Sequence, residues 1–337
     1  MKRLLILLII IISFFILIYF NDRRFWEIQS IDTTKYSRDL AREKLNDDSF
    51  NEIIEFQVKQ IALARASHIA ISTPYDAEFA PYLVRWVGVA RKNNLNVWFR
   101  GNLSGWEGWF EYPEITKSEH AEAIAKFLVE NQLLFMDGDI FDPCPECENG
   151  ALGDPRHTGK LNEYREFLKD EHQKISETFT SLGKDVLIAH SMNADVAKLV
   201  MNQDTTKKLG GMVTIDHYVA DSGKFLSDIR EIERISGGDI LIGEFGVPIP
   251  DIHGELDESG QSAFIKQTLD ILSAQSYVKG VNYWTGFGGS SSLWRDDFSE
   301  KSAVDVVEKY YKPDIILLIF STPAGHFFKS VVGYSPD

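Results

Sequence analysis

The segment Ile240-Leu241-Ile242-Gly243-Glu244-Phe245 has the composition of a buried β-strand and carries one carboxylate near its end. Three apolar residues precede Gly243, and an aromatic residue follows Glu244. A charged group in such a setting needs polar partners, because burial without them favours its neutral form. We therefore interpret the segment as a core strand that presents a polar group with a specific task.

Similar runs recur on both sides of this strand and alternate with longer amphipathic segments. We predict seven further strands, at residues 35–38, 68–73, 96–100, 134–139, 185–190, 211–216 and 280–284. Apolar residues recur with helical spacing in the segments 52–66, 117–131, 159–182 and 261–275. This alternation indicates βα units and a parallel sheet.

Eight strand–helix repeats in about 280 residues predict an α/β fold of the closed (β/α)8 type, the TIM barrel. An open doubly wound sheet is the alternative. Against it, no Gly-x-Gly-x-x-Gly turn follows the early strands, and no Gly-Lys-Ser/Thr phosphate loop occurs in the chain. We therefore expect no cofactor.

The N-terminus predicts a transmembrane helix before the barrel. Lys2 and Arg3 precede an apolar run from Leu4 to Phe20 that is interrupted only by Ser13, and no Ala-x-Ala cleavage pattern follows it. We predict a signal-anchor over residues 1–24, a catalytic barrel over 25–312 and a tail over 313–337 that resembles the start of a small β-domain. The barrel is expected outside the cytoplasm on a single-pass anchor, with cleavage and secretion as the alternative.

The 337 residues carry a formal net charge of −15. An acidic surface repels phosphate backbones, so we expect no nucleic-acid partner.

The active sites of TIM barrels lie where the strands end, at the C-terminal rim. Polar or aromatic residues follow almost every predicted strand in this chain. They include Ser72, Arg100, Asn102, Asp142, His190, Asn193, Asp216, His217, Tyr218, Glu244 and Trp284.

The run Ile242-Gly243-Glu244-Phe245-Gly246, with Tyr283-Trp284 on the next strand, resembles glycoside hydrolase clan A, including family 5 and related retaining β-glycosidase barrels. The resemblance implies hydrolysis of β-linked glycans by two glutamates, with Glu244 as the nucleophile. It implies that Trp284 forms the floor beneath the sugar, and that His217 or Tyr218 contacts the nucleophile or the substrate. Arg100 and Tyr218 are expected to keep Glu244 ionised.

The second carboxylate is expected after the fourth strand, within Pro145-Glu146-Cys147-Glu148-Asn149. The clan pattern has Asn directly before this glutamate, and this chain does not. We predict Glu146 as the acid/base, with Glu148 as the alternative and a substrate contact, and with Asp139 and Asp142 as further candidates. Asn102 or Asn193 is expected to replace the missing asparagine, and Trp106 and Trp109 are expected to stack on sugar faces.

Cys144 and Cys147 are open to three interpretations, namely a small disulfide, unpaired thiols, or part of a metal or redox site. We assign no metal. Two other functions remain open. One is a metal-assisted barrel hydrolase that uses Asp216, His217, His190 and the cysteines, and the other is a barrel that binds glycans without cleaving them.

Overall fold

A computed structural model describes residues 25–311 of the chain. It contains nine parallel strand segments in one curled sheet. They are β1 Ile28–Asp32, β2 His68–Ile71, β3 Asn96–Phe99, β4 Ile140–Phe141, β5 Leu187–Ile188, β6 Ser191–Asn193, β7 Met212–Asp216, β8 Asp239–Phe245 and β9 Val278–Tyr283.

The sheet closes into an eight-stranded barrel. Strand β1 pairs with both β2 and β9. Segments β5 and β6 are two parts of one strand, separated only by Ala189 and His190, and they pair with β4 on one side and β7 on the other. The predicted closed barrel is therefore confirmed, and the open doubly wound alternative is wrong.

Helices follow the strands and cover the outside of the barrel. The α-helices are Ser37–Glu43, Asn51–Leu63, Ala80–Lys92, Ser104–Glu107, Lys117–Glu130, Pro155–Thr158, Leu161–Leu182, Ala194–Val200, Gln203–Lys208, Ser222–Ser236, Pro250–His253, Glu258–Ser273 and Ser302–Tyr310. Single turns of 3-10 helix occur at Asp48–Phe50, Ala77–Phe79, Trp109–Glu111, Gln132–Leu134 and Cys147–Asn149.

The predicted first strand, residues 35–38, is wrong. A helix begins there at Ser37, and the first strand is Ile28–Asp32, which the sequence analysis missed. All five residues of this strand are buried, yet three of them are polar, so its apolar signal is weak. Buried polar residues at the inner wall of a barrel hide a strand from an analysis based on hydrophobic runs.

The predicted fourth strand, residues 134–139, is also misplaced. Gly138 has a φ of +87°, and Asp139 accepts hydrogen bonds from the backbone N–H groups of Val97 and Met136 at 2.9 and 2.8 Å. These features make a turn, and the strand begins at Ile140. Asp139 therefore lies at the start of the strand, not at its end.

The barrel interior changes from apolar to polar along the strands. Near the strand starts it is filled by Ile28, Ala70, Trp98, Ile140, Ala189 and Leu241. Because side chains on a strand alternate between faces, the residue two positions later points the same way. Those positions hold Arg100 after Trp98 and Asp142 after Ile140, so polar groups cluster towards the strand ends. A second, larger apolar cluster fills the space between the barrel and the helices.

Both ends of the described chain lie at the end of the barrel where the strands begin. The ring of Phe25, just before β1, is 5.8 Å from that of Tyr310, the last residue of the final helix. Within residues 25–311, no helix is long and apolar enough to cross a membrane. The predicted anchor at 1–24 and the predicted tail at 313–337 lie outside the described residues.

Candidate active site

A cleft of about 360 Å³ opens at the end of the barrel where the strands terminate. A larger cavity of about 870 Å³ lies at the opposite end, among residues that precede or begin the strands. The smaller cleft is the candidate site, because it collects the polar groups that follow the strands. It is lined by Thr34, Lys35, Ser37, Arg38, Asp39, Ser72, Arg100, Asn102, Glu107, Trp109, Pro145, Glu146, Asn149, Asp216, Glu244 and Trp284.

A β-bulge in β8 turns Glu244 towards this cleft. Three residue steps on β8, from Ile242 to Phe245, oppose two steps on β9, from Val281 to Tyr283. The extra residue changes the alternation of side chains, which is a common effect of bulges. Glu244 therefore lines the cleft, while Phe245 packs edge-on against Tyr283 in the outer apolar cluster.

Glu244 has one cationic and one phenolic partner. The Nη2 atom of Arg100 is 3.1 Å from Oε1 of Glu244, and the hydroxyl group of Tyr218 donates to Oε2 at 2.6 Å. Both neighbours named from the sequence are thus in direct contact with the carboxylate. Burial raises the pKa of Tyr218 well above its usual value, and the nearby Glu244 raises it further, so this hydroxyl stays a donor.

Arg100 lies at the centre of a cluster of acids. It is almost fully buried, it pairs with Asp216 at 2.8 Å, and it donates to the carbonyl oxygen of Gly243. Burial lowers its pKa, but the charges of Asp216, Glu244, Asp142 and Asp32 outweigh burial and raise the pKa overall. Burial raises the pKa of Asp216, Asp142 and Asp32, although Arg100 opposes each shift.

Glu146 has a different environment from that of Glu244. Its backbone has a φ of 48°, and its carboxyl oxygens accept from the side-chain amides of Asn193 at 3.0 Å and Asn149 at 2.9 Å. Burial raises its pKa to about 7, and the charges of Glu244 and Glu148 contribute to the increase. Glu146 is therefore held by neutral donors and is easily protonated.

The other candidates for the second carboxylate lie elsewhere. Glu148 is buried outside the cleft lining and accepts from the hydroxyl of Tyr164 at 3.1 Å and the backbone N–H of Asn193 at 2.8 Å. Asp142 is buried beneath the cleft and accepts from Ser191, and Asp139 pairs with Arg91 at the far end of the barrel. Of these acids, only Glu146 shares the cleft with Glu244.

Cys144 and Cys147 form a disulfide, which closes the loop that carries Glu146. The other groups named for a metal-assisted hydrolase are not gathered together. His217 is 3.0 Å from Asp228 beneath the rim, and His190 is 3.3 Å from His172 in the barrel wall. Within residues 25–311, no group of three or more potential ligating side chains is arranged to hold a metal ion.

The predicted substrate contacts divide into two groups. Trp284 and Asn102 line the cleft, and the ring of Trp284 lies 6.0 Å from that of Tyr218 in an edge-on arrangement. His217 and Trp106 do not line it. Trp106 is buried and stacks on Phe167 at 5.3 Å, so it packs beneath the loop, whereas Trp109 reaches the cleft.

The sequence analysis missed Asp32, Lys35 and Glu107. Asp32 ends the true first strand, so the misplaced strand concealed it, and Lys35 follows in the same loop. Glu107 lies in the loop segment that was noted for its tryptophans. A search for acids within a few residues of every strand end would have found it.

Two buried acids near the site predict a pH-dependent stability. Burial raises the pKa of Asp32 and of Asp142 to about 7, although Arg100 opposes the shift. A carboxyl group whose pKa is raised in the folded protein contributes its full stabilisation at pH values below about 4, the pKa of the group in the unfolded chain. This contribution to the free energy of unfolding is lost as the pH rises through 7. We expect the melting temperature of wild type, relative to that of Asp142→Asn, to fall between pH 5 and 7.5 in circular dichroism.

The comparison with Asp142→Asn cancels contributions common to both proteins. These include Asp32, so the difference reports Asp142, and also His172, His190 and His217, whose pKa values burial lowers. A difference in melting temperature that stays constant or grows over this pH range would contradict the prediction.

Gly243 allows the acids to approach Arg100. A Cβ atom at this position would lie 2.3 Å from Oδ1 of Asp216 and 3.1 Å from Oγ of Ser191. We expect Gly243→Ala to displace Asp216 from Arg100, to lower the melting temperature and to reduce kcat/KM roughly tenfold or more. Gly88→Ala is the control, because no atom lies within 4 Å of its Cβ and alanine favours its helix. Unchanged activity in Gly243→Ala would contradict this account.

Comparison with protein-family models and with curated proteins gives no match. Several solved structures share the fold. A β-glucuronidase from an uncultured Clostridium sp. superposes with a TM-score of 0.58 at 13% identity, over 85% of this chain and 50% of that one. A Ruminococcus gnavus β-glucuronidase gives 0.58 at 11% identity, over 86% and 51% of the two chains. The Dictyoglomus thermophilum β-D-glucuronidase gives 0.55 at 14% identity, over 85% and 50%.

At the level of the fold, the resemblance predicted from the sequence is confirmed. The chain spans about half the length of the solved structures that it matches. At this identity the likeness concerns the barrel alone, and an assignment of activity has to rest on the side chains of the cleft.

Proposed function

We propose that this chain is a retaining glycosidase that cleaves β-linked glycans, with Glu244 as the nucleophile and Glu146 as the acid/base. One observation carries the proposal, namely two carboxyl groups of opposite character in one cleft. Glu244 contacts a buried guanidinium and accepts a hydrogen bond from the hydroxyl group of Tyr218. Glu146 is held by two amides and has a pKa raised to about 7, which suits a group that must give up and regain a proton.

In the first step, the carboxylate of Glu244 attacks the anomeric carbon while Glu146 donates its proton to the departing glycosidic oxygen. The bond to the leaving group breaks, and a glycosyl ester forms on Glu244. Tyr218 and Arg100 fix both oxygens of this carboxylate before the attack, so little reorganisation is needed during the reaction.

In the second step, the ionised Glu146 takes a proton from water, and the resulting hydroxide attacks the anomeric carbon. The ester bond breaks and returns the electron pair to Glu244. Two displacements at the same carbon restore its original configuration. Glu146 regains its proton, and both carboxyl groups return to their starting states.

The proposed substrate class is a β-linked glycan, and assays with a panel of glycosides would identify the sugar. The superposed structures are described as β-glucuronidases, so a glucuronide belongs in the panel with glucosides and mannosides. Lys35 gives a second reason to include a glucuronide in the panel. Its Nζ atom is 5.8 Å from the Trp284 ring centroid, and within residues 25–311 no carboxylate forms an ion pair with it. This cation is available to a sugar carboxylate.

The test is to cleave a 4-nitrophenyl β-glycoside and to determine the anomeric configuration of the first product by proton NMR during the reaction. The proposal predicts that the β-anomer appears first and then mutarotates. An α-anomer as first product would contradict it. Binding of β-linked oligosaccharides without cleavage would instead favour the non-catalytic glycan-binding function.

We also propose that residues 1–24 anchor the barrel in a membrane with the cleft outside the cytoplasm. The disulfide at Cys144 and Cys147 is consistent with an oxidising compartment. Since Phe25 lies at the opposite end of the barrel from the cleft, such an anchor would leave the cleft open. Membrane fractionation of expressing cells, with and without residues 1–24, tests this, and a full chain found only in the soluble fraction would contradict it.

A further inference from the structure

A third carboxyl group, Glu107, lines the cleft and has no part in the two-glutamate scheme. It ends the short helix Ser104–Glu107 that follows β3, and its side chain is half-buried. The charges that act on it come from Glu148 and Arg38 rather than from the catalytic pair. Glu107 therefore lies to one side of the cleavage point.

Among residues 25–311, one of the two carboxyl oxygens of Glu107 has a hydrogen-bond donor and the other has none. The side-chain amide of Asn102 donates to Oε1 at 2.7 Å. In the part of the chain that the structure describes, no hydrogen-bond donor meets Oε2. A carboxyl group with one oxygen fixed and the other facing a cleft is prepared to accept from a ligand.

The orientation of Asn102 is fixed from behind by His120. The Oδ1 atom of Asn102 accepts from the backbone N–H of Leu103 at 2.8 Å and lies 3.0 Å from Nε2 of His120. The other ring nitrogen, Nδ1, is 2.6 Å from Oε1 of Glu171. Asn102, His120 and Glu171 are all buried, so rotating the amide would leave buried polar groups unpaired.

An aromatic ring and a cation complete this part of the cleft. Trp109 lies two residues beyond Glu107 and is half-buried in the lining. The guanidinium of Arg38 lies 5.2 Å from its ring centroid and is held by both oxygens of Asp39, at 2.9 and 3.0 Å. A ring beside fixed polar groups suits a ligand that has an apolar face and many hydroxyl groups.

We propose that Glu107 binds hydroxyl groups of the sugar unit next to the one that is cleaved, and that His120 is its positioning residue, acting through Asn102. This inference rests on the proposed function, because it requires a glycan in the cleft. Burial raises the pKa of Glu107 to about 7, although the bond from Asn102 opposes the shift. Both protonation states of the group accept hydrogen bonds from hydroxyls, so binding persists on either side of neutrality.

The test compares two substrates with the same cleaved sugar, a β-linked trisaccharide and the 4-nitrophenyl monoglycoside. For Glu107→Ala we expect KM for the trisaccharide to rise about tenfold with kcat changed less than threefold, the scale of one lost bond to a charged group. Values for the monoglycoside should change less than those for the trisaccharide, because its nitrophenyl group offers Glu107 no hydroxyl group. A fall in kcat on both substrates, or an unchanged KM for the trisaccharide, would overturn the proposal.

His120→Phe tests the positioning role. Phenylalanine preserves the ring packing against Trp106, whose centroid is 4.6 Å away, and removes both nitrogens. We expect it to raise KM for the trisaccharide, but to add nothing when Glu107 is already alanine. Additive effects in this double-mutant cycle would overturn the role of His120. His120→Gln, which keeps a donor towards Asn102, should restore part of the affinity. His157→Phe, at an exposed histidine outside this buried network, is the neutral control.

Binding separates this inference from the proposed function. Calorimetry measures the binding of the trisaccharide to Glu244→Gln, with and without Glu107→Ala, and does not depend on cleavage. If wild type cleaves no glycoside but Glu107→Ala weakens this binding tenfold, the hydrolase proposal fails and the role of Glu107 holds. If the trisaccharide is cleaved and Glu107→Ala binds it as well as the parent, only the role of Glu107 fails.

Discussion

Replacing Glu244 with alanine is expected to lower kcat by roughly 10⁴-fold, the scale of losing a covalent nucleophile. The fold should survive, because Arg100 keeps Asp216 as a partner at 2.8 Å and the cluster of acids loses one negative charge. We expect the melting temperature to stay equal to that of wild type or to rise. Steady-state kinetics on an activated aryl β-glycoside, with thermal melting alongside, check both parts.

Adding azide to Glu244→Ala tests whether the side chain at this position is the nucleophile. The anion can enter the space left by the carboxylate and attack the anomeric carbon from the same side. A single displacement then yields an α-glycosyl azide, which NMR identifies. Glu258→Ala is the control, since it removes a surface carboxylate paired with Arg295 and should leave the kinetics unchanged. A β-azide from Glu244→Ala, or activity within tenfold of wild type, would show that Glu244 is not the nucleophile.

Replacing Glu146 with alanine is expected to produce an effect that depends on the leaving group. We expect glycosides with basic leaving groups to lose roughly 10³-fold in kcat/KM, whereas dinitrophenyl glycosides should lose little because they leave without a proton. Azide should now give a β-glycosyl azide, because it attacks the glycosyl ester on Glu244. The measurement is a series of aryl glycosides of increasing leaving-group pKa.

The pH profile gives an independent check on Glu146. Its pKa is raised to about 7, and the first step needs the protonated form. With a glycoside that has a basic leaving group, the kcat/KM of wild type should therefore fall as the pH rises through about 7. This alkaline decline should be absent in Glu146→Ala with the same glycoside. Glu148→Gln should keep the decline and lower the melting temperature, since that carboxylate is buried against Tyr164 and Asn193. If Glu148→Gln abolishes the decline instead, the roles of the two glutamates are exchanged.

The sequence was sufficient to predict the barrel because six of its eight strands form apolar runs followed by polar residues. The prediction of the first strand was wrong for a physical reason. Ser30 and Asp32 point into the barrel interior, where neighbouring strands and Arg100 shield them, and no local pattern records that shielding. The fourth strand was misplaced because only Ile140 and Phe141 pair with β3. The apolar run before them begins at the end of a 3-10 helix, at Leu134, and is followed by a turn at Asp137 and Gly138.

The candidate site was predictable where a residue lies at the end of a strand or directly follows it, as Glu244 and Arg100 do. Distinguishing Glu146 from Glu148 required three dimensions, because both lie in one short loop and only the backbone at Glu146, with a φ of 48°, turns its side chain to the cleft. Trp106 and Trp109 present the same difficulty. Three residues apart in one loop, one packs on Phe167 and the other lines the cleft.

The extra residue in β8 has a consequence for comparing this chain with distant barrels. Because Glu244 faces inward only through that insertion, the length of the strand matters as much as its composition. An alignment that keeps strict two-residue periodicity would place Phe245 at the position that we propose for the nucleophile, and would miss the carboxylate. Searches for remote homologues should therefore tolerate a one-residue offset within this strand.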